Sequence, residues 1–487
     1  MVKIKKICKL LTATLFFNFF TLNVTTLADE IEMKTGTLTV SDYHEPFTTF
    51  KAENDYYAQK DGKTLVKDAI YKGICNLNTK INLNGLCQYL DNDPGVAANL
   101  FFDVISEHPD IFYCKKSVSY SYAHDYNGNL ANCTLNVSYA YDNNTINKMK
   151  SELDNKVNSI INNLIKSSYS ELQKEYIIHD YLTQNCTYDE ENYKNGTIPD
   201  ISHTAYGALI KQVAVCDGYS KANKLLLNKC GIECGVITSD AMCHAWNYVK
   251  IDNKYYQCDV TWDDPVPETN RISYSYFNLS NDEMGESHNW ERDKYPVCTS
   301  NDFKFLRDKS ATSKTRAEDK LYFAKDKNLY SSNLTGGNIE KIKSNFNGDN
   351  LIGNGNSIYF SSYVWFYPAS QPTFTISKFN LANNSIEDVF KFDGHLRTLY
   401  IKNNNISAIY ENGGNEKTKT VALPKDTVIE VNPKDVNHDG KVTILDLSMI
   451  STCYNASSTD KKFKSECDLN KDKFIDVYDM VQVSKAL

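Results

Sequence analysis

Three residues whose types support nucleophilic acyl chemistry follow one another between residues 213 and 265 of this sequence. They are Cys216, His244 and Asp259, in that order along the chain. A cysteine thiolate attacks acyl carbons, a histidine carries the proton, and a carboxylate fixes the orientation and tautomer of the histidine. The pattern therefore predicts a nucleophile, a base and an orienting carboxylate.

The candidate nucleophile stands at the start of a segment with helical periodicity. Tyr219, Ala222 and Leu226 recur at three- and four-residue steps, and Gly231 is placed to end the helix. At a helix N-terminus the unpaired N–H groups and the positive end of the macrodipole favour a thiolate. We therefore expect Cys216 to be activated there, with a backbone N–H available to stabilise the developing oxyanion.

The candidate base begins a run that alternates as a strand should, from His244 to Ile251. Asp252 and Asn253 are typical of a two-residue hairpin turn. This turn predicts three cross-strand pairs, Ile251 with Lys254, Trp246 with Asp259, and His244 with Thr261. His244 and Asp259 would then be diagonal neighbours on one face, whereas a one-residue slip would separate them.

Four short motifs in this stretch resemble the transglutaminase-like superfamily, which has a papain-like arrangement of cysteine, histidine and aspartate. They are AYGAL at 205–209, VCDGYS at 215–220, HAWNYV at 244–249 and DVTWDDP at 259–265. The resemblance implies that Cys216 is the nucleophile, His244 the general base and acid, and Asp259 the orienting residue. The family often has a glycine shortly before its VC pair, but this chain has Lys211, Gln212 and Val213 there. Gln212 is an oxyanion donor by residue type alone.

Other interpretations of these residues remain open. Cysteines and histidines are often ordinary packed or hydrogen-bonded groups, and Trp262 and Pro265 could simply pack and end a strand. A zinc site is a further alternative, since four nearby residues have ligand types, although they lack a paired CxxC spacing. Those residues are Cys230, Cys234, Cys243 and His244.

A second pattern lies at the C-terminus, where a twelve-residue loop with calcium-ligand spacing occurs twice, 33 residues apart. Its positions 1, 3, 5, 7, 9 and 12 are Asp435, Asn437, Asp439, Lys441, Thr443 and Asp446 in the first copy. In the second copy they are Asp468, Asn470, Asp472, Phe474, Asp476 and Asp479. Calcium takes many oxygen ligands, and this spacing wraps carboxylates and one backbone carbonyl around the ion. The sequence therefore predicts two Ca²⁺ sites, and no cofactor is expected in the core that carries Cys216.

Each loop is followed by a helix with an apolar stripe, and the segment resembles a type I dockerin. This resemblance implies a calcium-folded module that binds a cohesin of a cellulosome scaffold protein. Positions 10 and 11, which contact cohesin in dockerins, are Ile444, Leu445, Val477 and Tyr478. One departure is Lys473, which stands where glycine is preferred for a left-handed backbone.

The whole chain has 487 residues and a formal net charge of -8, which points to neither nucleic acid nor an anionic membrane surface as a partner. Residues 1–28 have the basic, apolar and small-residue regions of a secretory signal, and no later segment is apolar enough for a membrane span. We therefore expect a secreted, extracellular protein. Loss of this leader leaves 13 of the 14 cysteines, so at least one thiol is unpaired in a monomer.

Between the two motif regions lies a loose tyrosine-rich repeat. Tyr322, Tyr359 and Tyr400 are 37 and 41 residues apart, the scale of one small β-sheet, and the segment is too short for a closed propeller of four blades. The predicted segments are 1–28, signal peptide; 29–170, N-terminal α+β region; 171–300, transglutaminase-like core; 301–317, linker; 318–428, antiparallel β-repeat module; and 429–487, dockerin.

Together these patterns predict a multidomain α+β protein with a papain-like transglutaminase core, a small antiparallel β-repeat module and an all-α calcium-binding dockerin. The expected activity is that of a thiol enzyme acting on amide or acyl bonds of proteins or peptides, as a peptidase or as a transglutaminase. Two alternatives remain: a glycoside hydrolase or other polysaccharide-degrading cellulosome component, which would need two paired carboxylates, and a catalytically silent binding module.

Overall fold

A computed structural model of the chain describes residues 33–39, 61–264, 272–312, 314–366, 370–402, 404–423, 434, 436, 442–460 and 462–487. The predicted signal peptide and four of the six ligand positions of the first calcium loop lie outside these residues. The chain separates into two compact units, the first extending to Arg307 and the second beginning at Asp308. Within the described residues, no helix is both long enough and apolar enough to span a membrane.

The first unit combines helices with three sheets. Its helices are α1 (Gly62–Cys75), α2 (Gly95–Glu107), α3 (Asn143–Leu164), α4 (Glu171–Asn185), α5 (Glu190–Asn195), α6 (Cys216–Lys229) and α7 (Asn281–Met284). Its strands are β1 (Lys34–Thr39), β2 (Lys80–Asn82), β3 (Ser117–His124), β4 (Leu130–Asn136), β5 (Thr187–Tyr188), β6 (Val213–Ala214), β7 (Cys234–Ser239), β8 (His244–Ile251) and β9 (Lys254–Cys258).

The N-terminal part of this unit packs α1 and α2 against a sheet with the strand order β1-β3-β4-β2. Buried side chains such as Ile70, Phe101 and Leu135 form the core between these layers. The apolar spacing of residues 97–108 correctly predicts α2, which stops before Pro109 because proline disfavours helix in the residue before it.

The return strand of the β3–β4 hairpin begins earlier than its sequence pattern predicts. Residues 134–141 alternate as a strand, but β4 starts at Leu130. The reason is a tight turn, in which one carboxylate oxygen of Asp125 accepts the backbone N–H groups of Asn127 and Asn129. The chain therefore reverses at once after Gly128.

The remaining sheets of the first unit position the candidate site. Strands β7, β8 and β9 form an antiparallel sheet in that order, and α6 packs on it. Strands β5 and β6 pair in parallel and lead the chain into α6.

The second unit contains three antiparallel sheets of four, four and three strands, followed by a helical segment. The strands are β10 (Thr315–Ala317), β11 (Lys320–Lys325), β12 (Asn328–Ser332), β13 (Glu340–Ser344), β14 (Asp349–Asn354), β15 (Ser357–Val364), β16 (Thr373–Asn380), β17 (Ile386–Asp393), β18 (His395–Lys402), β19 (Asn405–Asn412) and β20 (Asn415–Ala422). Tyr322, Tyr359 and Tyr400 each lie in a different sheet, on β11, β15 and β18. The predicted linker overlaps this unit, because β10 already pairs with β11.

The C-terminal segment has two helices, α8 (Ile444–Cys453) and α9 (Val477–Ser484), as the loop-helix repeat predicts. It is not purely helical, since the short strands β21 (Ala456–Ser457) and β22 (Phe474–Ile475) pair with each other. Ile450, Ile475 and Val483 are buried together in its core.

Candidate active site

Helix α6 begins at Cys216, as the sequence predicts, and places this residue at the helix N-terminus. The helix forms because Tyr219, Ala222 and Leu226 share one face, which is completely buried. It ends at Lys229 and is followed by Gly231, whose φ of +79° is a left-handed conformation that favours glycine. No side chain caps its N-terminus; the N–H groups of Gly218 and Tyr219 donate to the Val215 carbonyl at 2.9 and 3.1 Å.

A close backbone approach holds the start of α6. Gly218 lies so near Ser202 that an added Cβ would be 2.6 Å from the carbonyl oxygen of that residue. In the same way, a Cβ on Gly207 would be 2.2 Å from the carbonyl oxygen of Ile201. The glycines of the AYGAL and VCDGYS motifs therefore both allow a close approach to the backbone of residues 201–202.

The β8–β9 hairpin has the register that the turn residues predict. Asp252 and Asn253 both adopt positive φ, 48° and 63°, as a type I′ turn requires. Ile251 pairs with Lys254, and the ladder continues to Asn247 and Cys258.

The predicted pairs beyond Cys258 do not form within the ladder, because β9 ends there and Asp259 lies in the following turn. The backbone N–H of Asp263 donates to the Asp259 carbonyl at 3.1 Å, and Asp259 Oδ1 accepts the backbone N–H of Trp262 at 3.1 Å. His244 and Thr261 therefore do not face each other across two strands. The carboxylate of Asp259 reaches His244 from a turn, not from a strand.

His244 and Asp259 form a short hydrogen bond in a nearly dry environment. His244 Nε2 lies 2.6 Å from Asp259 Oδ2, with the His244 side chain 9% exposed and the Asp259 side chain completely buried. The other imidazole nitrogen is left for Cys216, whose thiol is near enough to raise the pKa of His244. The structure thus brings the three predicted residues together.

The electrostatics of this group correspond to a charged imidazole beside a charged carboxylate. Burial lowers the pKa of His244, but hydrogen bonds with Asp259 and Cys216 outweigh it and raise that pKa to about 10. Burial raises the pKa of Asp259, and the two histidines that hydrogen-bond to it lower the pKa below its ordinary value. An imidazolium next to Cys216 is the partner that a thiolate needs.

Buried amides connect α6 to the sheet and fix the distance between the nucleophile and the base. The Asn247 side chain donates to the carbonyls of Ser220, on α6, and Gly235, on β7, both at 3.0 Å. It also accepts a hydrogen bond from Asn223 of α6 at 3.0 Å. Because Asn247 is buried, breaking these bonds would leave unpaired polar groups.

A second histidine on Asp259 has no counterpart in the sequence prediction. His288 Nε2 lies 2.9 Å from Asp259 Oδ2, and the His288 side chain is completely buried. His288 comes 29 residues after Asp259, in the polar segment that follows α7. No periodicity or motif in the sequence indicates its role. The one nearby feature is an aromatic residue, Trp290, two positions later.

The side chains around Asp259 are also of types that can bind a metal ion. Across the described residues, the one group of three potential ligands close enough to share an ion is His244, Asp259 and His288, with ligand atoms within 4.8 Å of one another. The distances from Asp259 Oδ2 to His244 Nε2 and to His288 Nε2, 2.6 and 2.9 Å, are hydrogen-bond lengths. We therefore place a proton, and not a metal ion, between the atoms of each pair. The alternative zinc set with Cys230, Cys234 and Cys243 is not brought together among these described residues.

A cleft of about 340 Å³ opens beside His244. Tyr188, Tyr193 and Trp262 contribute aromatic walls. Burial raises the pKa of Tyr188, and the nearby Cys216 raises it further. The cleft therefore gives a substrate access to His244, and Trp262 lines it as well as packing.

Two further residues, His203 and Gln212, lie close to the start of α6. His203 Nδ1 is 2.9 Å from Asp217 Oδ2, so this histidine is hydrogen-bonded at the surface of the helix and not to Cys216. Gln212 is exposed and has a φ of +58°, the backbone conformation that a glycine before the VC pair would favour. In this chain a glutamine therefore takes the left-handed conformation at this position.

A second buried histidine supports the turn that carries Asp259. His179 Nε2, on α4, lies 3.2 Å from Asp263 Oδ2, and Asp263 Oδ1 accepts the backbone N–H of Tyr276. One turn earlier on α4, burial raises the pKa of Glu175 to about 8, against the lowering effect of a hydrogen bond from Asn278. This network is completely buried and contributes to the pH dependence of stability.

The second predicted calcium loop lies wholly among the described residues. The carboxylate of Asp479, at position 12, is buried and accepts the backbone N–H groups of Leu469, Asn470 and Asp476 at 2.7, 3.2 and 2.9 Å. Lys473 has a φ of +71°, so this lysine adopts the left-handed conformation that glycine would favour. The carboxylates at positions 1, 5, 9 and 12 are of the type that Ca²⁺ takes, but this structure does not bring three of them close enough to share an ion.

Of the six ligand positions of the first calcium loop, only Thr443 and Asp446 lie among the described residues. The buried Asp446 accepts the backbone N–H of Thr443 at 2.7 Å, and the Thr443 side chain caps α8. Four apolar side chains at positions 10 and 11 of the two loops are exposed by half or more: Ile444, Leu445, Val477 and Tyr478.

Comparisons with known proteins agree with both motif regions. Residues 158–260 match the transglutaminase-like superfamily, and residues 433–487 match the dockerin type I domain. No curated protein matches the sequence. The chain resembles a solved structure described as a TGase at 19% identity, covering 27% of this chain and 42% of that one, with a TM-score of 0.21.

Two other solved structures show weaker likeness. The extracellular domain of a hybrid two component system from B. thetaiotaomicron has 10% identity and a TM-score of 0.16. The match covers 38% of this chain and 27% of that one. The tricorn protease has 9% identity, 37% and 19% coverage, and a TM-score of 0.11. This chain spans less than half the length of each of the three structures, and the TM-scores are too low to support a fold assignment.

Proposed function

Because the chain carries a transglutaminase-like domain and a type I dockerin domain, we propose that it is a cellulosome-docked thiol enzyme. It acts on amide or related acyl bonds of proteins or peptides. Cys216 is the nucleophile, His244 the general base and acid, and Asp259 the residue that orients His244. The observation that supports this proposal most strongly is the 2.6 Å hydrogen bond between His244 Nε2 and the buried Asp259, next to a thiol at a helix N-terminus.

The reaction follows from the positions of these groups. The thiolate of Cys216 attacks the acyl carbon, and the N–H groups at the start of α6 stabilise the negative charge on the oxygen. His244 then donates its proton to the leaving amine, and a thioester remains on Cys216. Water or a second amine attacks the thioester, His244 takes the proton from that attacking group, and the acyl product leaves the Cys216 thiolate beside the protonated His244.

Hydrolysis and amine transfer share every step except the acceptor. The cleft beside His244 is open to solvent and water is abundant there, so we favour hydrolysis as the main outcome. Crosslinking would need an amine bound in place of water.

The C-terminal region supports the second half of the proposal. A dockerin binds a cohesin, and the exposed Leu445 and Tyr478 are suited to an apolar contact. Bound Ca²⁺ would hold the loop carboxylates together and order the helices that follow them. The protein would therefore work outside the cell, attached to a scaffold protein.

The decisive experiment is turnover of a casein-derived peptide library by the wild type and by Cys216→Ala, with and without an added amine. We expect cleaved peptides from the wild type, a larger share of amine adducts when amine is added, and no products from Cys216→Ala. Release of reducing sugar from a polysaccharide by Cys216→Ala would instead favour a glycoside hydrolase. Binding without turnover by the wild type would favour a silent module.

A further inference from the structure

The carboxylate of Asp259 is shared between two imidazoles. Its Oδ2 atom lies 2.6 Å from His244 Nε2 and 2.9 Å from His288 Nε2, and its Oδ1 atom accepts the backbone N–H of Trp262 at 3.1 Å. Asp259 is completely buried, so a charged carboxylate there must receive its hydrogen bonds from the protein. His288 supplies one of those three hydrogen bonds.

The second imidazole is held in a fixed tautomer. Its Nε2 atom carries the proton, because it faces a carboxylate oxygen at hydrogen-bond distance. The Ser287 hydroxyl lies 2.8 Å from His288 Nδ1 and donates to it. Ser287 therefore orients the His288 ring, and His288 Nε2–H donates to Asp259.

Aromatic rings surround His288 and prevent it from rotating. Trp262, Trp246 and Tyr276 have ring centroids 4.3, 4.9 and 5.4 Å from that of His288. These rings also exclude water from Asp259.

We propose that His288 is a positioning residue for the reaction of Cys216: its hydrogen bond fixes the rotation of the Asp259 carboxylate, so that Oδ2 faces His244 Nε2. This inference rests on the proposed function. His288 acts through Asp259 and does not touch the cleft, which is lined by His244. It is therefore not a second base.

The proposal has a consequence for pH dependence. The titratable groups facing Asp259 are His244 on β8, His288 after α7, and the buried thiol of Cys258 on β9. Without the His288 hydrogen bond, the negative charge of Asp259 loses stabilisation, and the carboxylate takes up a proton at a higher pH. Neutral Asp259 then holds His244 less firmly at mildly acidic pH.

Two variants of similar volume separate the hydrogen bond from the packing. His288→Gln keeps an N–H donor near Asp259, whereas His288→Leu removes the donor. We expect His288→Leu to lower kcat about tenfold with KM little changed, because one hydrogen bond to a charged group is lost. We also expect the acid limb of its pH profile to move upward by about one unit. His288→Gln should stay within about threefold of the wild type, with an unshifted limb.

A substrate-free measurement separates this proposal from the proposed function. The rate of Cys216 alkylation by iodoacetamide, followed against pH by mass spectrometry, should show the same shift for His288→Leu and none for His288→Gln. Equal losses in both variants without a shift would mean that His288 only fills space, and wild-type behaviour of His288→Leu would also overturn the proposal. If His288→Leu does not fold, the test is the comparison of His288→Gln with the wild type. A shift in the acid limb of the His288→Gln pH profile would contradict the proposal. Failure of the proposed function itself would appear instead as turnover by Cys216→Ala.

Discussion

Replacing Asp259 by asparagine tests the geometry of the site with the smallest change in shape. The carboxylate receives the N–H of His244 at 2.6 Å, and an amide can receive it only through its single oxygen. The amide also lacks the negative charge that holds His244 as an imidazolium. Asp259→Asn should therefore weaken both the orientation and the protonation of the base.

The size of the effect follows from the electrostatics of His244. Its pKa is raised from 6.5 to about 10, against the effect of burial, mainly by Asp259 and next by Cys216. Loss of the carboxylate charge therefore lowers the pKa of His244 and weakens the hydrogen bond that orients it. Because a hydrogen bond to a charged group contributes about 1.5–3 kcal/mol, kcat/KM should fall by about 10- to 100-fold.

The assay is kcat/KM for a peptide that the wild type cleaves, measured at pH 7, together with the melting temperature. Asp282→Asn is the matched control, because that side chain is 99% exposed and should leave kcat/KM unchanged. A folded Asp259→Asn protein that keeps kcat/KM within threefold of the wild type would refute the role given to Asp259.

Three further outcomes are expected. Glu175, with a folded-state pKa of about 8 against an ordinary value of 4.5, keeps a proton that the unfolded chain releases, so its contribution to stability is lost as the pH rises from about 4.5 to 8. Glu175→Gln should make the free energy of unfolding less pH-dependent in that window, as measured by urea unfolding at pH 5 and pH 8; an unchanged dependence would contradict this. In the full chain, calcium should raise the melting temperature of the C-terminal transition in the wild type. Asp479→Ala should reduce that increase, whereas the control Glu466→Ala should retain it. Equal increases in both variants would count against calcium binding at the second loop. Tyr478→Ala should weaken cohesin binding about tenfold or more in calorimetry without a change in melting temperature, because the side chain is 67% exposed, and undiminished affinity would exclude Tyr478 from the interface.

Local sequence patterns predicted the elements around Cys216 well. The spacing of Tyr219, Ala222 and Leu226 fixed the buried face of α6, and Asp252 and Asn253 determined the hairpin register through their turn type. In each case the cause lies within a few residues of its effect.

The errors arose where side chains hydrogen-bond to the backbone in ways that alternation does not reveal. Asp259 leaves the strand because its own carboxylate accepts the N–H of Trp262, and β4 starts early because Asp125 tightens the preceding turn. His288 could not be found because its partner lies 29 residues away and tertiary packing alone brings them together.

The reactivity of Cys216 tests the central claim most directly. At pH 6, limited labelling of the native protein with iodoacetamide and mass spectrometry would give the rate for each of the cysteines, with the unfolded protein as reference. The account predicts that Cys216 is alkylated fastest, faster than the exposed Cys243, and that His244→Ala removes this advantage. Labelling of Cys216 no faster than that of Cys243, or unaffected by His244→Ala, would contradict an activated nucleophile at this site.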